Sequence, residues 1–124
     1  CLKNNPLDDE LTSILRLLLQ NHKNLKQEKK INVDDFTSIQ KEFHYTLVDR
    51  CKNEFISKTY RFLFILISYH IGQIKYDSNK IQKVLGQHID VLEALLAGDF
   101  NKAKKALQFH LKHAGNSMKE VNFS

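Results

Sequence analysis

Interruptions are scarce in this chain, and their scarcity constrains the fold more than any other feature. One Pro, at Pro6, and four Gly punctuate 124 residues. A many-stranded sheet needs frequent turns, whereas long helices need few breaks, so the expected fold class is all-α. Between Asn53 and Ile71 there is neither Gly nor Pro, so the apolar run at residues 62–67 reads as a buried helix rather than a strand. That run continues to residue 71 only through Ser68, Tyr69 and His70, which leaves it too short to span a bilayer.

Five helices follow from the apolar spacing, in an antiparallel bundle of about five to six helices. The first covers about residues 8–22, with Asn5 as cap, Pro6 at its first position, and a face of Leu11, Ile14, Leu15, Leu18 and Leu19. Residues 21–32 are polar and lysine-rich and read as a connection. The second helix follows Asp34 as cap and runs to about Lys52. Its stripe is Phe36, Ile39 with Gln40, Phe43 with His44, Leu47 and Cys51. A third helix covers about residues 53–75. Asp77 and Ser78 cap a fourth, with Ile81, Val84, Leu85, His88, Leu92 and Leu95 on one face. Gly98 is placed as its left-handed terminator and Asp99 as the cap of the fifth, giving a tight antiparallel pair. Phe100, Ala103, Leu107, His110, Ala114 and Met118 form the fifth helix's stripe.

Apolar residues make up 42% and charged residues 27% of the chain, which suits one folded domain and excludes a disordered one. The net charge of +5 comes partly from lysine clusters at 26–30 and 102–105, which fall in a turn and on a polar helix face. Without an Arg-rich run or interleaved aromatics, these read as solvated lysines rather than a nucleic-acid surface. Cys1 and Cys51 cannot build a disulfide framework, and no basic-then-apolar signal segment opens the chain, so a cytoplasmic setting is expected. A chain starting at Cys1 rather than Met is expected to continue upstream.

The six histidines carry the chemistry. His44, His88 and His110 fall within apolar stripes on three different helices, so all three are expected to point inward. His22 reads as a helix-end residue, and His70 and His113 as flank residues. A buried imidazole needs a polar partner, and shared coordination of one ion satisfies three at once. Gln40 lies one turn before His44 and leaves the same helix face. Three imidazoles suit a zinc-like divalent cation with open positions for water or a carboxylate.

The ordering of these residues resembles a known family. The segment at 35–47, with Phe43-His44 and Leu47, resembles the Asp-x-x-Phe-His-x-x-Leu signature of the FadR-type C-terminal (FCD) effector domain of GntR-family regulators. Asn53 follows at the family's turn. The segment at 87–99, from His88 to Gly98-Asp99, resembles the family's next helix and its end. His110-Leu111, with His110 twenty-two residues beyond His88, completes the pattern over roughly residues 8–121. The resemblance implies an all-α cavity for a small effector, often a carboxylate. In many members an Asp and three His hold a divalent metal. The three His correspond to His44, His88 and His110; the Asp position is occupied by Gln40, so one negative charge is missing.

The resemblance further implies a homodimer, and an upstream helix and winged helix-turn-helix domain through which operator DNA is bound. Effector contacts are expected from Gln40, His44, His88 and His110, with Arg50, Tyr60 and Arg61 as additional candidates. A metal-dependent enzyme or a structural helical adaptor are the alternative readings. An enzyme is disfavoured because Glu42 and Glu93 lie off the stripes, and neither a nucleophile motif nor a phosphate-cradling glycine loop is present.

Overall fold

The structure is a computed structural model that describes residues 9–50 and 77–119, with the side chains of 48–50 and 114–119 excepted. It is all-α. Among the described residues there are four helices: α1 (Asp9–Lys26), α2 (Val33–Arg50), α3 (Ser78–Leu96) and α4 (Phe100–Lys119). The helix expected over residues 53–75 lies outside the described residues, as do Asn5, Pro6, Cys51, Tyr60, Arg61 and His70.

α1 continues four residues past the end its polar sequence suggests. Its buried stripe is Leu11, Leu15, Leu18, His22 and Leu25, a 4-3-4-3 spacing that stays on one face through the lysine-rich end. Lys23 and Lys26 sit in the last turn, where cations complement the helix dipole. Gln82 Nε2 donates to the Lys26 carbonyl at 3.0 Å, so a neighbouring helix satisfies one terminal acceptor. The expected connection at 21–32 therefore shrinks to residues 27–32.

α2 begins one residue before the expected cap. The Asn32 side chain, not that of Asp34, caps it, accepting from Asp34 N at 2.7 Å and Asp35 N at 3.3 Å. Asp34 and Asp35 instead occupy the first turn, where their charge favours the helix N-terminus. Asp77 caps α3 as expected, accepting from Lys80 N at 2.8 Å.

The α3–α4 connection satisfies both helix ends with two residues. Gly98 has φ of 76°, a left-handed conformation that costs a residue with a Cβ ~1–2 kcal/mol. Gly98 N donates to Leu95 O at 3.1 Å and Asp99 N to Ala94 O at 3.0 Å, the pair of bonds that defines a Schellman terminus. The Asp99 carboxylate then accepts from Lys102 N at 3.1 Å and starts α4.

α3 packs most extensively against α4 and α1. The Gln82–Lys26 and His88–His22 contacts pair the start of α3 with the end of α1, so these two helices are antiparallel. Two apolar clusters form the core. One contains Leu15, Leu18, Phe43, Leu47, Leu92, Leu95 and Leu107; the other contains Leu25, Phe36, Ile39, Ile81 and Leu85. Along α1, α2 and α3 the buried polar residues His22, Gln40 and His88 fall between the stretches that supply these clusters, and His44 follows directly on Phe43 of the first. The lysines at 26, 29, 30, 102, 104 and 105 are exposed, as are Glu42 and Glu93.

A buried histidine cluster as candidate metal centre

Four helices each contribute one imidazole to a single interior cluster. His22 comes from α1, His44 from α2, His88 from α3 and His110 from α4, and none is more than 2% exposed. The inward placement expected for His44, His88 and His110 is observed. His22 corrects the sequence reading: it is fully buried, because α1 runs on past it and Leu25 anchors the following turn. The signal was present in the spacing of Leu11, Leu15 and Leu18, which reaches His22 at the next step. His113 is exposed on α4, its ring 4.3 Å from that of Phe109.

Phe43 is the apolar wall of the cluster. It stacks face to face on His88, with centroids 3.8 Å apart and planes 4° from parallel. Edge contacts join it to His22, His44 and His110. His44 and His110 stack at 5.4 Å with 17° between their planes. Because Phe43 and His44 are consecutive in α2, one helix supplies both the wall and a candidate ligand.

The polar contacts form a chain across the bundle. His22 Nδ1 lies 2.7 Å from Leu18 O, His22 Nε2 lies 2.9 Å from His88 Nδ1, His88 Nε2 lies 3.1 Å from His110 Nε2, and His110 Nδ1 lies 2.8 Å from Gln87 Oε1. A carbonyl only accepts, so His22 carries its proton on Nδ1. On a neutral ring its Nε2 then accepts from His88 Nδ1–H, which leaves His88 Nε2 as a lone pair. At the other end, Gln87 Oε1 accepts from His110 Nδ1–H, so His110 Nε2 is also a lone pair. Neutral rings are what this interior favours. Burial, then the neighbouring imidazoles, hold His44 and His88 well below the usual histidine range. Burial first, with His113 and His22 adding repulsion, pushes His110 down to about 3.

Two lone pairs thus face each other at 3.1 Å without a proton between them. That separation suits adjacent nitrogen ligands of one ion, ~3.0–3.4 Å for metal–nitrogen bonds of ~2.0–2.1 Å. The ligating atoms of His44, His88 and His110 all lie within 4.8 Å of one another. The second shell is also in place, since His88 and His110 each use the remaining ring nitrogen in a hydrogen bond. The residues present therefore fit a divalent cation.

Gln40 is 3% exposed, and among the described residues its Nε2 has no hydrogen-bond partner. A buried amide donor left unmatched costs about 1–3 kcal/mol. The buried polar set among the described residues is His22, Gln40, His44, His88 and His110, with no carboxylate. Two open grooves lie elsewhere. One of about 270 Å³ between α1 and α2 is bordered by Asn21, Glu28, Asp35 and Glu42; another of about 300 Å³ is bordered by Lys29, Lys30, Asp77 and Gln82. Neither is lined by a histidine. Arg50 closes α2, with its side chain outside the described part.

The sequence model of the FCD domain matches residues 8–113, most of the chain. The chain belongs to the FCD family. An FCD domain is the FadR-type C-terminal, ligand-binding regulatory domain of GntR-family regulators. No curated protein and no solved structure matches the chain. Among the described residues of this FCD domain, no helix is long and apolar enough to cross a membrane.

Proposed function

We propose that this FCD domain senses an anionic, carboxylate-bearing effector for a cytoplasmic GntR-family transcription regulator, using a zinc-like cation held by His44, His88 and His110. The observation that carries this reading is the approach of His88 Nε2 and His110 Nε2 to 3.1 Å, beside a third buried imidazole. A divalent cation there would supply a Lewis-acidic anchor for an effector oxygen.

Charge argues for an anionic effector. Three neutral imidazoles leave a divalent cation uncompensated, and no buried carboxylate is present among the described residues to offset it. The effector then supplies the negative charge that an Asp would otherwise provide. Gln40 takes a different role from an Asp: its unmatched Nε2 donates to an effector oxygen. Arg50, Tyr60 and Arg61 are further effector contacts in this reading.

In this reading residues 1–124 form an effector-binding and dimerisation domain. A winged helix-turn-helix domain carried upstream binds operator DNA as part of a homodimer. The effector acts by binding one arrangement of the two DNA-binding domains better than the other, which shifts their populations.

Metal content of the purified chain, with zinc titration of wild type and His88→Ala, tests the centre. One bound cation per chain, lost in His88→Ala, is expected; equal content in both would sink the ligand assignment. Thermal shifts against small carboxylates, with and without zinc, test the sensor. A zinc-dependent rise in melting temperature with at least one carboxylate is expected.

A further inference from the structure

His22 is the one imidazole of the cluster that is not a candidate ligand, yet it is as deeply buried as the others, at 0% exposure. Its ring joins a backbone carbonyl of its own helix to His88 on α3. The Leu18 carbonyl, one turn back, points along the helix and is fixed by the backbone, so it dictates which His22 nitrogen carries hydrogen. His22 Nε2 faces His88 Nδ1 at 2.9 Å and must be matched by a donor there. Turning the His88 ring over would keep it stacked on Phe43 but would put ring carbons where Nδ1 meets His22 and Nε2 meets His110.

We infer that His22 is a positioning residue that fixes His88 as the Nδ1–H tautomer, so that the His88 Nε2 lone pair is held in the interior of the cluster. Its consequence for cation binding rests on the metal-holding role proposed above for His44, His88 and His110. The backbone of α1 thus sets the ligand state of a side chain on α3 through two hydrogen bonds. A purely space-filling His22 would make neither bond and would leave His88 free to carry hydrogen on Nε2, the tautomer a free imidazole side chain favours and one that cannot ligate through Nε2.

Two variants separate these roles. His22→Phe fills the space without an acceptor. His22→Gln places an amide oxygen near the position of Nε2 and restores the acceptor. Nitrogen-15 NMR of the ring nitrogens in the chelator-treated chain reads the tautomer without any metal. Wild type and His22→Gln are expected to hold His88 as Nδ1–H, and His22→Phe to move it toward Nε2–H. Zinc affinity, measured against a competing chelator, is expected to fall roughly 10–100-fold in His22→Phe. It should recover to within about 3-fold of wild type in His22→Gln, as restoring the second-shell acceptor requires.

An Nε2–H tautomer in the wild type, or an unchanged His88 tautomer and zinc affinity in His22→Phe, would overturn the inference. A wild-type chain with Nδ1–H on His88 but no zinc binding would overturn the cation reading instead. The tautomer comparison still decides the role of His22 in that case. Should His22→Phe fail to fold, the wild-type and His22→Gln spectra decide it.

Discussion

Phe43 lies flat on His88, 3.8 Å between ring centroids and 4° from parallel, and this stack joins the apolar core to the polar cluster. Phe43 is fully buried and belongs to the larger apolar cluster, so its ring serves both packing and the orientation of an imidazole. Truncation should therefore remove core packing and the support of the His88 ring together.

Phe43→Ala is expected to destabilise the domain by ~3–5 kcal/mol, the range for removing a buried aromatic ring. Phe43→Leu keeps the apolar volume in part and should cost less, with loss of the stack contributing ~0.5–1.5 kcal/mol. Phe109→Leu, at an exposed ring, is the control and should stay within ~0.5 kcal/mol. Urea unfolding measures all three; equal effects at positions 43 and 109 would contradict the role given to Phe43.

Gln40→Glu replaces an amide by an isosteric carboxylate at a 3% exposed position. Without a cation the variant should be less stable than wild type by a few (~1–3) kcal/mol, since a buried unpaired charge is costly. With zinc the order should reverse, and affinity should rise by roughly tenfold or more as the carboxylate joins the imidazoles. Melting temperatures in chelator and in excess zinc give both comparisons. An identical zinc-induced shift in the two proteins would remove Gln40 from the site.

Acid should unfold the metal-free domain through this cluster. His44, His88 and His110 are all held below the usual histidine value, with His110 at about 3. The unfolded chain takes up protons near pH ~6.5, while the folded chain does not. Stability is thus fully present above that pH and falls as pH drops toward the folded values, with a slope of up to ~1.4 kcal/mol per pH unit for each histidine. Urea midpoints measured from pH 7 down to pH 4 should decline steadily; a flat profile would mean that the cluster is solvated.

Gly98→Ala tests the left-handed residue between α3 and α4. Nothing lies within 4 Å of a Cβ added there, so the cost comes from φ of 76° alone. It should be ~1–2 kcal/mol, read from thermal or urea unfolding. Asp99→Ala should cost ~0.5–2 kcal/mol through loss of the cap on α4.

The helices were legible because their stripes and caps are local. Asp77, Gly98 and Asp99 each act within a few residues of their own position, and each does what its residue type suggests. The inward faces of His44, His88 and His110 were legible for the same reason, since apolar neighbours one turn away fix their direction. His22 was not. The spacing of Leu11, Leu15 and Leu18 points to it, but its immediate neighbours are polar, and the lysine-rich run hides the further turn that Leu25 anchors. The cap of α2 failed more narrowly: Asn32 and Asp34 are both good caps, and one residue of register decided between them. Tautomers and lone-pair directions were beyond reach, because they depend on which nitrogen meets which partner across the bundle.

The three-residue turn at 97–99 also bears on the order of assembly. His88 and His110 are separated by 22 residues and lie symmetrically about Asp99, so closing one short hairpin brings them together. His22 reaches His88 only across 66 residues, an entropic closure cost about 1 kcal/mol greater for a flexible chain. Low contact order favours the α3–α4 hairpin as the early element, with two of the three candidate ligands already paired when α1 and α2 dock. A cation present during folding would meet that half-site first and reward its formation, speeding folding rather than only slowing unfolding.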